Sequence, residues 1–291
     1  MKKVIVLGAN GQLGSDICAV LKEANYEVVE STHANLDLAN TDSFDAYFSA
    51  LKPDVVVNTA AYHNVMLCEE KPEMANQINA IAPGVLSALS KKLNFRFIHI
   101  STDYVFDGLK GQPYLESDQA NPLNEYGKSK LKGEVNVLAE NEDSVVMRVS
   151  GLYGNHPCRA KNGLNFVQLM LKLAREKGEV KVVTDEIVSP TYTKNIAQQI
   201  VKILDSGIKG MIHSTSEGSC SWNEFAAEIF AYTKTPVSLL SSLASDSPPV
   251  VKRPSYSVLE NARLKAAGIN VMLNWKDALH SYLDEMTQAV A

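Results

Sequence analysis

Tyr126 and Lys130 stand four residues apart in Tyr126-Gly127-Lys128-Ser129-Lys130, a spacing that projects both side chains from one face of a helix. The pair has a chemical use. A phenol with a pKa of about 10 is a poor proton donor or acceptor at neutral pH unless a nearby cation stabilises its phenolate. An ammonium one turn away does this and can also hold a cofactor ribose. A hydroxyl from Thr102, in Ser101-Thr102-Asp103-Tyr104-Val105-Phe106, would hydrogen-bond the same substrate oxygen. With 11 tyrosines in the chain, roughly one Tyr-x-x-x-Lys is expected by chance, so the pair gains meaning only from its setting.

That setting begins at the first residues. Lys3 to Leu7 is a short β-branched apolar run ending in Gly8, Gly11 and Gly14, and a helical pattern follows from about Gln12 to Glu23. Strand, tight turn and helix are the context in which a glycine motif binds a dinucleotide. Gly8 permits the turn, and Gly11 lets backbone N–H groups approach a pyrophosphate at the helix N-terminus, where the macrodipole favours anions. Gly14 lets helix and strand pack closely.

Further strands are expected at 26–30, 55–58, 95–101 and 144–149, and helices at 41–51, 72–92 (broken or kinked at Pro83) and 122–140. Short apolar strands between helices predict an α/β fold, a Rossmann-type doubly wound parallel sheet whose ligands lie beyond the strands' carboxyl ends. Thr102 falls at such an end, with Tyr126 and Lys130 on the next helix. Past about Gly154, prolines at 157, 190, 236, 248, 249 and 254 and longer loops suggest a smaller C-terminal α/β lobe. Residues 1–153 with about 187–207 read as the dinucleotide-binding domain, and about 154–186 with 208–291 as the substrate-binding lobe.

Composition narrows the class. A net charge of −5 gives no electrostatic reason to expect nucleic acid or an anionic membrane as partner. Cys18, Cys68, Cys158 and Cys220 lie far apart with no Cys-x-x-Cys pair, as expected of reduced cytoplasmic thiols. No stretch approaches the ~20 apolar residues of a membrane span. His63, His99, His213 and His280 lack ligand spacing, so structural or surface roles are expected and no metal.

Together these motifs resemble the dTDP-4-dehydrorhamnose reductase family of extended short-chain dehydrogenases/reductases. The matching residues are Gly8 through Gly14, Asn58-Thr59-Ala60-Ala61-Tyr62, Ser101 through Phe106 and Tyr126 through Lys130. Asn165-Phe166, Ser189 through Tyr192, Ser219 through Trp222 and Arg253-Pro254 with Ser257 extend the match over nearly the whole chain. The resemblance implies an NAD(P)H-dependent 4-keto reduction of a nucleotide-linked 6-deoxy sugar. Thr102, Tyr126 and Lys130 would be catalytic. Gly8, Asn10, Gly11, Gln12, Leu13, Gly14, Ala60, Ala61, Tyr62 and Lys130 would bind the cofactor, with Asp37 and Leu38 against the adenine. Ser101, Asp103, Gly151 and Arg253 would bind the substrate, Arg253 facing its diphosphate. A monomer or homodimer is expected.

Two positions depart from the family pattern. Gly151 stands in Arg148-Val149-Ser150-Gly151-Leu152-Tyr153-Gly154 where the family has a large aromatic, and Val65-Met66 replaces a Val-Asp. An enlarged pocket beneath a basic flap at 155–163, with His156, Cys158, Arg159 and Lys161, would accept a different sugar or nucleotide. Glu30 would suit the ribose 2′-OH of NAD(H), whereas Ser31, Thr32 and His33 would surround a 2′-phosphate; NADP(H) is the preferred expectation. The alternative function is a non-catalytic NADP-binding regulatory or scaffold subunit on the same fold.

Overall fold

The computed structural model describes residues 1–157, 163–246 and 250–288. Five strands, β1 (Lys3–Leu7), β2 (Glu27–Ser31), β3 (Val55–Asn58), β4 (Arg96–Thr102) and β5 (Val145–Val149), alternate with helices in the first half. The helices are α1 (Gln12–Glu23), α2 (Phe44–Leu51), α3 (Val65–Glu70), α4 (Pro72–Asn76), α5 (Ala82–Leu93) and α6 (Glu125–Glu140). A sixth strand, β6 (Gly210–His213), pairs in parallel with β5 and completes the sheet in the order β6-β5-β4-β3-β1-β2. Residues 210–213 therefore belong to the central sheet, although their position in the sequence suggested the smaller lobe.

The two-residue period of the strands builds two cores. Val4, Val6, Val55, Val57, Ile98 and Met147 face one side, where they bury α1 (Ile17, Leu21) and α8 (Thr193–Leu204; Ile196, Ile200, Ile203). Ile5, Leu7, Val56, Phe97 and Val146 face the other, against Phe44, Phe48, Leu86, Leu89 and Val137 of α2, α5 and α6. A third apolar cluster gathers α7 (Phe166–Lys177), α9 (Trp222–Tyr232) and α10 (Trp275–Gln288) around Phe225, Tyr153, Tyr192 and Tyr282. It is separate from the two cores that flank the sheet.

The break expected at Pro83 lies just before it. Gln77–Ile81 is a π-helical turn, and Pro83 sits in the first turn of α5. Proline has no N–H to give to a regular helix and its ring crowds the preceding turn, so the chain changes register there. The register change pushes Asn79 toward α6. An added Cβ on Gly133 would lie 2.0 Å from the Asn79 carbonyl oxygen, so only glycine allows this approach.

Candidate active site

The strand order reverses between β1 and β3, which places a crevice at their carboxyl ends. Gly8 closes the turn after β1 with φ of +77°, a conformation that strains other L-residues, and a Cβ there would lie 2.8 Å from Thr59 Oγ1. On Gly14 a Cβ would stand 2.2 Å from the Gly8 carbonyl oxygen, so α1 is seated backbone-to-backbone on the turn. Gly11 is the N-cap of α1 and offers no side-chain cap, which leaves first-turn N–H groups open. A cradle open on backbone donors and closed to β-carbons fits a pyrophosphate.

The other residues expected at the cofactor have varied surroundings. Asn10 is exposed beside the turn, and Leu13 is buried in the sheet core. Gln12 donates to the Gly154 carbonyl at 3.4 Å. Asp37 accepts from the Ala39 N–H at 2.9 Å, while Leu38 is buried beneath the loop. Ala60, Ala61 and Tyr62 line the crevice past β3; Tyr62 is held by the Asn79 amide, which accepts from its N–H at 2.8 Å and donates to its carbonyl at 2.9 Å. Glu30 forms an exposed ion pair with Lys22 at 2.5 Å.

Thr102 ends β4, and Asn124 caps α6 by accepting from the Gly127 N–H at 2.8 Å, which sets where Tyr126 and Lys130 emerge. The Tyr126 phenol lies close enough to the Thr102 hydroxyl for Thr102 to oppose the rise that burial gives its pKa. Thr102 in turn donates to Asp103 Oδ1 at 3.0 Å, and Ser150 donates to the other carboxylate oxygen at 2.8 Å. Burial raises the Asp103 carboxyl above its ordinary range, opposed by hydrogen bonds from Ser257, Ser150 and Thr102. Tyr126 and Tyr104 meet edge to face at 5.7 Å between ring centres.

Lys130 is 2 % exposed, and its Nζ turns to β4, donating to the Ile100 carbonyl at 2.6 Å and lying 3.1 Å from His99 Nε2. Burial lowers its pKa to about 8. The expectation that Lys130 depresses the Tyr126 pKa is corrected here. Burial, with Asp103 and Tyr104 nearby, pushes the Tyr126 phenol well above its ordinary value, and Lys130 is turned to the strand. Beneath the pair, Glu134 takes a two-pronged ion pair from Arg148 at 2.9 and 2.7 Å and a hydrogen bond from Ser101 at 2.5 Å. Ser101 is thus buried in this network.

Burial raises both the Tyr104 phenol and the Glu186 carboxyl, and exposed Arg253 stands close enough to oppose both rises. Gly151 has φ of +56°, and a Cβ there would lie 3.1 Å from Pro190 Cα. Glycine at 151 therefore answers a backbone need. Met66, 41 % exposed on α3, lines a cleft of about 480 Å³ with Glu69, Leu123, Val250 and Lys252. Of the basic flap, Cys158, Arg159 and Lys161 lie outside the described residues.

With this geometry in place, the comparisons with known proteins decide the family. Residues 1–288 match the family model described as the RmlD substrate binding domain. The chain is 40 % identical over 99 % of its length to the spore coat polysaccharide biosynthesis protein SpsK of Bacillus subtilis (strain 168), and covers 99 % of that protein. The solved structure of a dTDP-4-dehydrorhamnose reductase from Clostridium acetobutylicum superposes with a TM-score of 0.93 at 39 % identity, covering 98 % of this chain and 99 % of that one. The Bacillus anthracis dTDP-4-dehydrorhamnose reductase, solved with NADP, gives 0.91 at 33 % identity over 98 % and 99 %.

The chain belongs to the dTDP-4-dehydrorhamnose reductase family.

As a member of that family it is an NAD(P)-dependent oxidoreductase on a Rossmann-type α/β fold. No helix among the described residues is long and apolar enough to cross a membrane. Within the reductase site, His99 and Asn79 are the residues that sequence reading missed. His99 read as structural because no ligand spacing accompanied it, yet it contacts Lys130. Asn79 links Tyr62 to Ser129 on α6, donating to Ser129 Oγ at 3.0 Å, and only the π-helical turn brings it there.

Proposed function

We propose that the protein reduces the C4 keto group of a dTDP-linked 6-deoxy sugar with NADPH, converting dTDP-4-dehydrorhamnose to dTDP-rhamnose. The observation that carries this reading is the Thr102 hydroxyl beside the Tyr126 phenol at the carboxyl end of β4, with Lys130 one helical turn on. When bound in that cradle, the nicotinamide cofactor supplies a hydride. The residues do the rest. Gly8, Gly11 and Gly14 admit the pyrophosphate to the N-terminus of α1, and Lys130 holds the nicotinamide ribose. Thr102 and Tyr126 bond the substrate carbonyl oxygen, which polarises it. Tyr126 then gives its proton to that oxygen as negative charge develops there. Its raised pKa keeps the phenol protonated through the neutral range, as a proton donor in reduction requires. Arg253 offers a planar fork to the diphosphate. NADPH is favoured over NADH because the Bacillus anthracis relative was solved with NADP.

The test is NADPH and NADH oxidation with dTDP-4-dehydrorhamnose made in situ, with the product identified by mass and NMR. Turnover with NADPH to dTDP-rhamnose is expected. Absence of turnover with this sugar in a protein that binds NADPH would overturn the substrate assignment. One observation favours a second reading within the same chemistry: exposed Met66, in place of an acidic residue, opens the cleft to a different dTDP-keto sugar.

A further inference from the structure

His99 is wholly buried in β4, between Asn58 on β3 and Lys130 on α6. Its hydrogen-bond partners determine where its proton lies. The Ala60 backbone N–H lies 3.1 Å from Asn58 Oδ1, and a backbone N–H can only donate, so the amide oxygen must face it. The Asn58 NH₂ is therefore the group that stands 3.2 Å from His99 Nδ1. An amide NH₂ donates, so Nδ1 accepts and carries no proton. A neutral imidazole has one N–H, which is then on Nε2, 3.1 Å from Lys130 Nζ. An ammonium has three N–H donors and no lone pair, and would set N–H against N–H. A neutral amine accepts from Nε2–H and still donates to the Ile100 carbonyl at 2.6 Å. Imidazolium offers no escape, because Nδ1–H would then oppose the Asn58 NH₂, and burial already holds the ring well below its usual pKa.

From this chain of donors and acceptors, and resting on the role given to Lys130 above, we propose that His99 is a positioning residue that holds Lys130 as a neutral amine in the cofactor-free protein. The other groups around α6 do not reverse this. Glu134, one turn on, favours the ammonium, but its carboxylate is taken up by Arg148 from β5 and Ser101 from β4. Asp103 and Tyr104 beyond β4, and Cys68 of α3, act on Tyr126. The π-helical turn presents the uncharged Asn79. Burial lowers Lys130 from its usual range to about 8, and the hydrogen-bond chain acts in the same direction. Held neutral, Lys130 becomes able to stabilise a Tyr126 phenolate by charge only on taking up a proton.

The experiment reads the free protein, so its outcome is separate from whether any sugar turns over. ¹⁵N NMR of labelled histidine should show His99 as the neutral Nε2–H tautomer; the Nδ1–H tautomer would overturn the proposal. With ¹³Cε-labelled lysine, the Lys130 resonance, assigned by its loss in Lys130→Arg, should show a neutral amine at pH 7, with its midpoint below neutrality. A midpoint above neutrality would contradict it. In His99→Gln the side-chain oxygen can accept from an ammonium, so the Lys130 midpoint should rise by at least one pH unit. An unchanged midpoint would assign the low value to burial alone and remove His99 from its role. Asn58→Asp reverses the imidazole tautomer by accepting from Nδ1, and should raise the midpoint likewise if His99→Gln fails to fold.

Discussion

The two sides of the cleft are built from different materials. On the cofactor side the surface is backbone: Gly8, Gly11 and Gly14 bring main-chain atoms together so closely that a β-carbon on Gly8 or Gly14 would collide, and the geometry comes from strand order and helix placement. On the substrate side the surface is side chains, with Met66, Leu123, Val250 and Lys252 offered from a short helix and loops. A backbone surface tolerates few sequences and recognises what all nicotinamide dinucleotides share. A side-chain surface changes with each substitution, and the proposed function would place substrate choice there. The reacting groups sit between the two, on the end of β4 and the first turns of α6, over a buried floor of charge.

The largest effect on stability is expected where both sides share that floor. Arg148→Met leaves the Glu134 carboxylate buried without its partner, and removing one member of a buried pair costs about 3–5 kcal/mol. Chemical denaturation should show a loss of that size. A loss below ~1 kcal/mol would mean the network does not hold the two sides together. Gly14→Ala strikes the cofactor side alone. Forcing a Cβ against the Gly8 carbonyl should cost about 1–3 kcal/mol, read as a lower Tm and a Kd for NADPH raised roughly tenfold or more. Met66→Ala strikes the substrate side alone and should be mildest. KM for the keto sugar should change by less than about tenfold with kcat unchanged, because the side chain is partly solvated and contributes only uniform binding. If Met66→Ala altered kcat as strongly as KM, the division between the two sides would fail.

The same contrast explains what could be read in the sequence. β1 with its glycines, the apolar runs of β3 to β5, and the Thr102, Tyr126 and Lys130 positions depend on local periodicity and spacing, and all were legible. β6 was not. Its four residues, Gly210–His213, sit between turn-forming residues and resemble a loop until β5 supplies a partner. The π-helical turn at Gln77–Ile81 leaves no signature beyond Pro83 itself, so Asn79 escaped notice. His99 shows only as a polar interruption in an apolar strand, because its partners Asn58 and Lys130 lie 41 and 31 residues away. Gly151 looked like a missing pocket wall because its positive φ cannot be seen from residue type. The Tyr126 pKa went the opposite way because the four-residue spacing aligns two Cβ atoms but does not say where a lysine's end will turn.

The central claim, that Tyr126 is the proton donor of a keto-sugar reductase, is tested most directly by Tyr126→Phe. Substituting the positioned acid should lower kcat by about 10²–10⁴-fold while the Kd for NADPH, measured by fluorescence, stays within about twofold of wild type. The phenyl ring keeps the edge-to-face contact with Tyr104. A variant that binds NADPH normally and still reduces the keto sugar at the wild-type rate would contradict the account.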